Sequence, residues 1–267
     1  MTIESELDCT ALMVWGTVGA SFCVFAAFTF LLQWLDVHRF VKHPTPTTPA
    51  ALVNTTTSLF HAIIVSNLIA WSFFVQTGLW ENLALATSPL LTYSVSISFG
   101  YFCWDCVHMM ISGLDTEANP FGLWLHHFLV LFCLGTSLTH CSYMPFTSLT
   151  LLVEYHSILL HARRIWLWCV DRVRPSYQVF RVVHYLSIVV FRLFLHPWIT
   201  YLLWYSYDLF PLKWVWLLAF SSMIVLIFIN VFLFYGIYKS DENKLRQSTL
   251  SCNVRSDGQR HHSKKND

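Results

Sequence analysis

Charge is what this sequence has least of. Only 12% of its 267 residues are Asp, Glu, Lys or Arg, about half the share found in an ordinary soluble domain. That scarcity excludes a soluble enzyme and a disordered regulator. The net charge of +1 and a pI of about 7.7 leave no basic face of the kind nucleic acid requires. Alternation of polar and apolar residues at period two is missing as well, which argues against an outer-membrane barrel. The eight cysteines are scattered, mostly within apolar blocks where they act as small apolar residues, so a secreted disulfide scaffold is excluded. Cys103 and Cys106 form a C-x-x-C without a second pair, and no metal site is expected. Neither an internal repeat nor a soluble domain is visible.

What remains is hydrophobic. The chain is 55% hydrophobic and 17% aromatic, with 22 Phe, 12 Trp and 11 Tyr, and its mean hydropathy is +0.52. A membrane helix needs about 20 mostly apolar residues, because the hydrocarbon core is about 30 Å thick and each residue rises 1.5 Å. Seven segments meet that requirement, at roughly 11–35, 53–77, 87–111, 122–138, 144–162, 182–206 and 214–238. The expected fold class is all-α integral membrane with seven transmembrane helices. Trp80, Trp124, Trp198 and Trp214 near span ends read as interfacial belts.

Positive charge in short loops is retained in the cytosol. Arg39 and Lys42 fall in the first loop, Arg163, Arg164, Arg172, Arg174 and Arg181 in the fifth, and most others in a tail from Lys239 to Lys265. The opposite side receives only Lys213. An odd number of spans then places the N-terminus outside and the C-terminus in the cytosol, in agreement with acidic Glu4, Glu6 and Asp8. The start lacks the basic region of a secretory signal, so the first block is read as a retained helix, with cleavage as the alternative. The expected organisation has three parts: 1–49, an extracellular N-terminus, first helix and Pro-rich linker (Pro44, Pro46, Pro49); 50–240, a six-helix domain; and 241–267, a disordered basic tail. The first helix is expected to be an appendage on the six-helix core. Cys9 with Cys141 is weighed as an outer-side disulfide and Cys169 as a palmitoylation site; the sequon at Asn54 is expected to be unused.

Ionisable groups inside spans are expensive, by about 2.5–3.5 kcal/mol on insertion scales, and by default face the bundle interior. Here they are His61, Asp105, His108, His126, His127, Glu154, His156, His161, His184, Arg192 and His196. Counted from the cytosolic ends, those on five helices lie roughly 6–15 Å deep. The shared depth points to one polar chamber opening toward the cytosol. Tyr101, Asp105 and His108 share a helix face through i+4 and i+3 spacing, and Arg192 and His196 are i+4 neighbours. Arg192 should pair with Glu154 or Asp105. Such a pair serves function or merely fixes helix register, and both readings stay open for Glu154 and Arg192.

In order and spacing, Asn54, Ser58 and His61, then Gly100-Tyr101-Phe102 with Asp105, then His126-His127, then the run Leu149 to Glu154, then Phe191-Arg192 resemble the TLC domain. This family joins the translocating-chain-associated proteins, the longevity-assurance ceramide synthases and a ceroid-lipofuscinosis protein. The resemblance is greatest to its branch of TLC domain-containing proteins 1 and 2, including calfacilitin-type proteins. It covers about residues 50–240. It implies that six helices form a TLC-type barrel with a lipid-accessible cavity. It also implies a plasma-membrane role, with the endoplasmic reticulum as the alternative, in limiting incorporation of long-chain polyunsaturated fatty acids into phospholipids and so in membrane fluidity. Calfacilitin-type members add a link to calcium-channel regulation. Two departures stand out. Ceramide synthases carry a second acidic position where this chain continues Tyr155-His156-Ser157-Ile158, and relatives usually have a small polar residue at position 156.

These residues define the expected site. His126 or His127 would act as nucleophile or general base toward an acyl thioester, oriented by Asp105 or Glu154. His61, Tyr101, His108, Arg192 and Asn54 would contact the ligand. No cofactor is expected, and acyl-CoA is the candidate substrate of an acyltransferase reading. In the competing reading the same chamber binds a phospholipid or acyl chain without turnover and offers a surface to a membrane partner such as a calcium channel. A pore is disfavoured, because the outer half of the bundle is nearly all apolar.

Overall fold

The computed structural model describes residues 10–42, 48–114, 120–169 and 175–263. Among them every regular element is helical. They are α1 (Ala11–Trp34), α2 (Thr48–Val75), α3 (Pro89–Ser112), α4 (Pro120–His140), α5 (Met144–Leu151), α6 (Glu154–Cys169), α7 (Pro175–Ile188), a π-helical segment (Val189–Phe194), α8 (Leu195–Tyr205) and α9 (Lys213–Ser263). Their ends obey local chemistry. The Thr10 hydroxyl accepts the Met13 amide at the start of α1, and Ser88 does the same for Leu91 ahead of Pro89 in α3, using amides that have no partner inside the helix. At the far end of α3, Gly113 takes the left-handed conformation at φ 64°, which suits a residue without Cβ.

Helices occupy all seven predicted positions. Five of them are long and apolar enough to cross a membrane: 11–34, 49–75, 121–140, 176–205 and 213–243. The chain is an all-α, multi-pass membrane protein. The third predicted position, α3, has 24 residues, but its run of serines with Asp105 and His108 lowers its apolarity. The fifth is broken: Leu152 and Val153 make i→i−3 bonds to Leu149 and Thr150, and the Thr150 hydroxyl turns back to the Thr147 carbonyl at 2.7 Å. This tightened turn sets Glu154 in the first turn of α6, where the helix dipole favours an anion. The predicted fifth loop is also corrected, since α6 runs on to Cys169 and α7 begins at Pro175, placing Arg163, Arg164 and Arg181 on helices. Arg172, Arg174, Pro44, Pro46 and Cys9 lie outside the described residues. Cys141 is disulfide-bonded.

The chain divides after Ile227 into two units, the second being 228–267. Helix α1 belongs to the first unit and is no appendage there. Without lipid-phase hydrophobic attraction, membrane helices associate through close packing and interhelical hydrogen bonds, and α1 has both. It packs along α3, with the Ser21 hydroxyl donating to the Ile97 carbonyl (2.7 Å) and the Trp104 indole to Thr29 Oγ1 (2.9 Å). Thr57 of α2 reaches the same hydroxyl at 3.2 Å. At Gly100 the backbones come so close that an added Cβ would sit 2.4 Å from the Val18 carbonyl oxygen.

The π-helical segment has an identifiable cause. Pro197 in α8 has no N–H to give the Leu193 carbonyl, and its ring crowds that oxygen. The helix widens, so that the Leu195 N–H bonds the Val190 carbonyl, five residues back, a local device often found at functional sites. The consequence is a shift in the direction of Arg192, which donates Nη2 to Ser157 Oγ on α6 at 3.1 Å. Pro197→Ala should restore a regular helix and withdraw Arg192 from Ser157. In a double-mutant cycle read by thermal unfolding, Ser157→Ala should then lower stability more in the native background than beside Pro197→Ala, where only its contact with the Glu154 carboxyl is left to lose.

Candidate functional site

Two groups of polar side chains are assembled from the candidate residues. The first lies among α2, α3 and α4. Asp105 Oδ2 meets His127 Nε2 at 2.8 Å, and His127 Nδ1 lies 2.9 Å from the Leu123 carbonyl. A carbonyl only accepts, so Nδ1 carries a hydrogen. Nε2 and Asp105 therefore share one further proton, as an imidazolium–carboxylate pair or as its neutral equivalent. Asn54 bridges onward: its amide nitrogen side serves Asp105, and Oδ1 lies 2.7 Å from His108 Nδ1. His108 Nε2 then meets the Ser112 hydroxyl at 3.1 Å. Asp105 is 6% exposed, His108 4% and His127 3%, so this string of satisfied groups is sealed in the bundle. With both ring nitrogens of His127 engaged, its imidazole is held in place.

The second group faces a cavity of about 90 Å³. Its walls come from α4, α5, α8, the start of α6 and the part of α9 between Val215 and Leu226. His126, Glu154 and His196 meet at one end; towards the other the lining is mostly apolar, ending near Tyr143 and Phe210, whose rings stack at 4.6 Å. From His126 to Ser137 on α4 the slot runs for roughly 16 Å. His126 touches Phe102 and His127 edge-on, with ring centroids at 6.3 and 5.6 Å, and makes no hydrogen bond to the described residues. Behind the polar end, the Ser157 hydroxyl accepts from Arg192 and serves the Glu154 carboxyl, so it bridges guanidinium and acid. An apolar slot closed by a few convergent polar groups has the general make-up of a small-molecule site.

The remaining candidates stand behind these walls. His61 stacks on Tyr101 with centroids 3.8 Å apart and reaches Ser98 Oγ at 3.3 Å, while the Tyr101 hydroxyl bonds Ser58. Both rings pack against Phe25 of α1. Arg192 is directed at Ser157 and His196 into the slot, so the π segment parts two residues that a regular helix would keep on one face. Asp105, considered as a partner for Arg192, is taken by His127. His156 does not enter the slot: its ring bonds Ser187 Oγ at 2.9 Å and packs on His184 between α6 and α7. The single chamber expected from depth is therefore two adjoining groups, joined where His126 and His127 are consecutive on α4. Sequence reasoning missed His196 as a lining residue, together with Cys133 and Ser222. The signal for the last was present, since Val215, Leu218, Ala219, Ser222, Met223 and Leu226 recur at helical spacing. Among the described residues no cluster of His, Cys, Asp or Glu is placed to hold a metal ion.

A TLC-domain family model matches residues 52–239, well over half of the chain. The chain belongs to the TLC domain family. Among curated proteins it is similar to TLC domain-containing protein 2 of Danio rerio, 29% identical over 188 residues covering 70% of this chain and 75% of that one. The mouse protein of that name is 29% identical over 209 residues, 74% of this chain and 62% of its own length. The human one is 31% identical over 124 residues, 45% of each. No solved structure is significantly similar. Within the TLC domain the match begins on α2 and ends in α9, so it includes both polar groups and leaves out α1, although α1 packs against the matched helices.

Proposed function

We propose that this TLC-domain protein governs the acyl composition of phospholipids, and through it membrane fluidity, by holding a lipid chain in the slot between α4, α8 and α9. The observation that carries this is the slot's asymmetry: His126, Glu154 and His196 at one end, mostly apolar side chains beyond. A ligand that matches has a polar head and a long apolar chain. Family membership supports a lipid-related role. In this account the protein restricts long-chain polyunsaturated chains in phospholipids at the plasma membrane. In this reading all seven helical positions span the membrane, six enclose the slot as a barrel, the N-terminus is outside and the α9 tail is cytosolic.

A second, enzymatic reading is favoured by one contrast. His127 is locked on Asp105 and Leu123, whereas His126 faces the slot with an uncommitted ring. His126 would then be the base or nucleophile toward an acyl thioester, His127 and Asp105 would hold α4 in place, and Glu154 would steady the charge that develops. Lipidomics of phosphatidylethanolamine acyl chains in cells checks the proposal: His126→Ala should shift the polyunsaturated fraction as far as deletion of the whole protein does. A variant that is folded, correctly localised and indistinguishable from the native protein would refute it. Acyl transfer by the purified protein that disappears with His126→Ala would favour the enzymatic form.

A further inference from the structure

Besides the His126 ring, the slot contains a second polar group that its neighbours leave unused. Serine and threonine hydroxyls inside membrane helices ordinarily bond the carbonyl four residues back, and Thr29, Ser66, Ser72 and Thr200 do so here at 2.6–2.8 Å. Ser222 on α9 does not. It is 2% exposed, it lines the slot, and its hydroxyl oxygen meets no hydrogen-bond partner among the described residues. The polar group facing it is the Cys133 thiol of α4, a weak donor and weak acceptor, so the hydroxyl still lacks a strong acceptor. Ser221 beside it behaves ordinarily, donating to the Leu218 carbonyl at 3.0 Å.

Its position along the slot is informative. Cys133 lies two helical turns from His126, so Ser222 sits roughly 10 Å below the polar end. A buried hydroxyl without an acceptor is unfavourable, and a ligand that supplies one at that depth is selected over one that does not. A free fatty acid cannot: its only acceptors are in the carboxyl group that the polar end would take, and its chain is hydrocarbon at the level of Ser222. A glycerolipid can. Its head group would lie among His126, Glu154 and His196, and the carbonyl of its acyl ester, several bonds further along, would come within reach of the hydroxyl.

We propose that Ser222 is a specificity-determining donor for the carbonyl of an acyl ester, and that the ligand class of the slot is an ester-linked glycerolipid. This rests on the reading of the slot as a lipid site. The test compares two probes on the purified full-length protein in detergent: a lysophosphatidylethanolamine with one oleoyl ester, and its analogue with the same chain in ether linkage, which lacks the carbonyl. The native protein should bind the ester about five- to tenfold more tightly than the ether. Ser222→Ala should bring the two within about twofold by weakening ester binding, while Ser221→Ala keeps the full preference. Equal binding of the two by the native protein, or a preference that survives Ser222→Ala, overturns the assignment to Ser222 while leaving a lipid slot intact. Failure of the native protein to bind either probe overturns both this inference and the proposed function.

Discussion

Gly100→Val should abolish accumulation of folded protein, and Gly100→Ala should already lower its stability by about 2–3 kcal/mol. Inside a helix glycine is normally about 1 kcal/mol worse than alanine, so the simple expectation for an alanine there is a gain. The α1–α3 contact dictates the opposite, because a Cβ on residue 100 would lie 2.4 Å from the Val18 carbonyl oxygen and 2.8 Å from the Ser21 Cβ. The nearer obstacle is backbone, which cannot rotate aside. Trimming Ser21 to glycine should therefore fail to rescue Gly100→Ala. Denaturation of the purified variants in detergent reads the effect, and an alanine variant as stable as the native protein would show that α1 does not depend on this approach.

The second large effect is at Asp105. Its carboxyl group joins His127 to the Asn54–His108 string, and truncation leaves a buried imidazole and a buried amide without their partner. Breaking a buried pair in this way destabilises by about 3–5 kcal/mol. Asp105→Ala should fall in that range. Asp105→Asn should be milder, at about 1–2 kcal/mol, because an amide N–H can still meet Nε2 of a neutral His127. Removal of both members should be less damaging than the sum, since neither is left stranded. Equilibrium unfolding of the single and double variants measures this. Strict additivity of Asp105→Ala and His127→Ala would show that the two do not act as a pair.

How far such a site can be foreseen is plain from these residues. Tyr101, Asp105 and His108 were legible as one face of α3, because spacing within a helix is fixed by its geometry. The partner of Asp105 was not, because that depends on the rotation of one helix against another. Arg192 adds a second reason: Pro197 changes the local pitch, so its direction departs from the regular spacing that sequence reading assumes. The break at Leu152–Val153 hid in an apolar run whose composition suits an unbroken span. Ser222 was invisible for a different reason, since a serine in a membrane helix is usually satisfied by its own backbone and only coordinates reveal one that is not. The membrane class, the helix positions and the inward placement of His126 and Glu154 were within reach, because they depend on hydrophobic length and on the expense of burying charge.

The central claim is that the asymmetric slot holds the chain of a lipid, and covalent trapping tests it most directly. A photoreactive lysophosphatidylethanolamine, carrying a diazirine midway along its ester-linked chain, is illuminated with the full-length protein and the labelled peptides are sequenced. Labels on the slot-facing residues of α4, α8 and α9, among them Cys133, Ile199, Ala219 and Met223, competed away by unlabelled lipid and diminished by His126→Ala, are the predicted result. Labelling confined to outward-facing side chains such as Phe74, Phe128 and Phe194, which are exposed, with no effect of competitor, would contradict it.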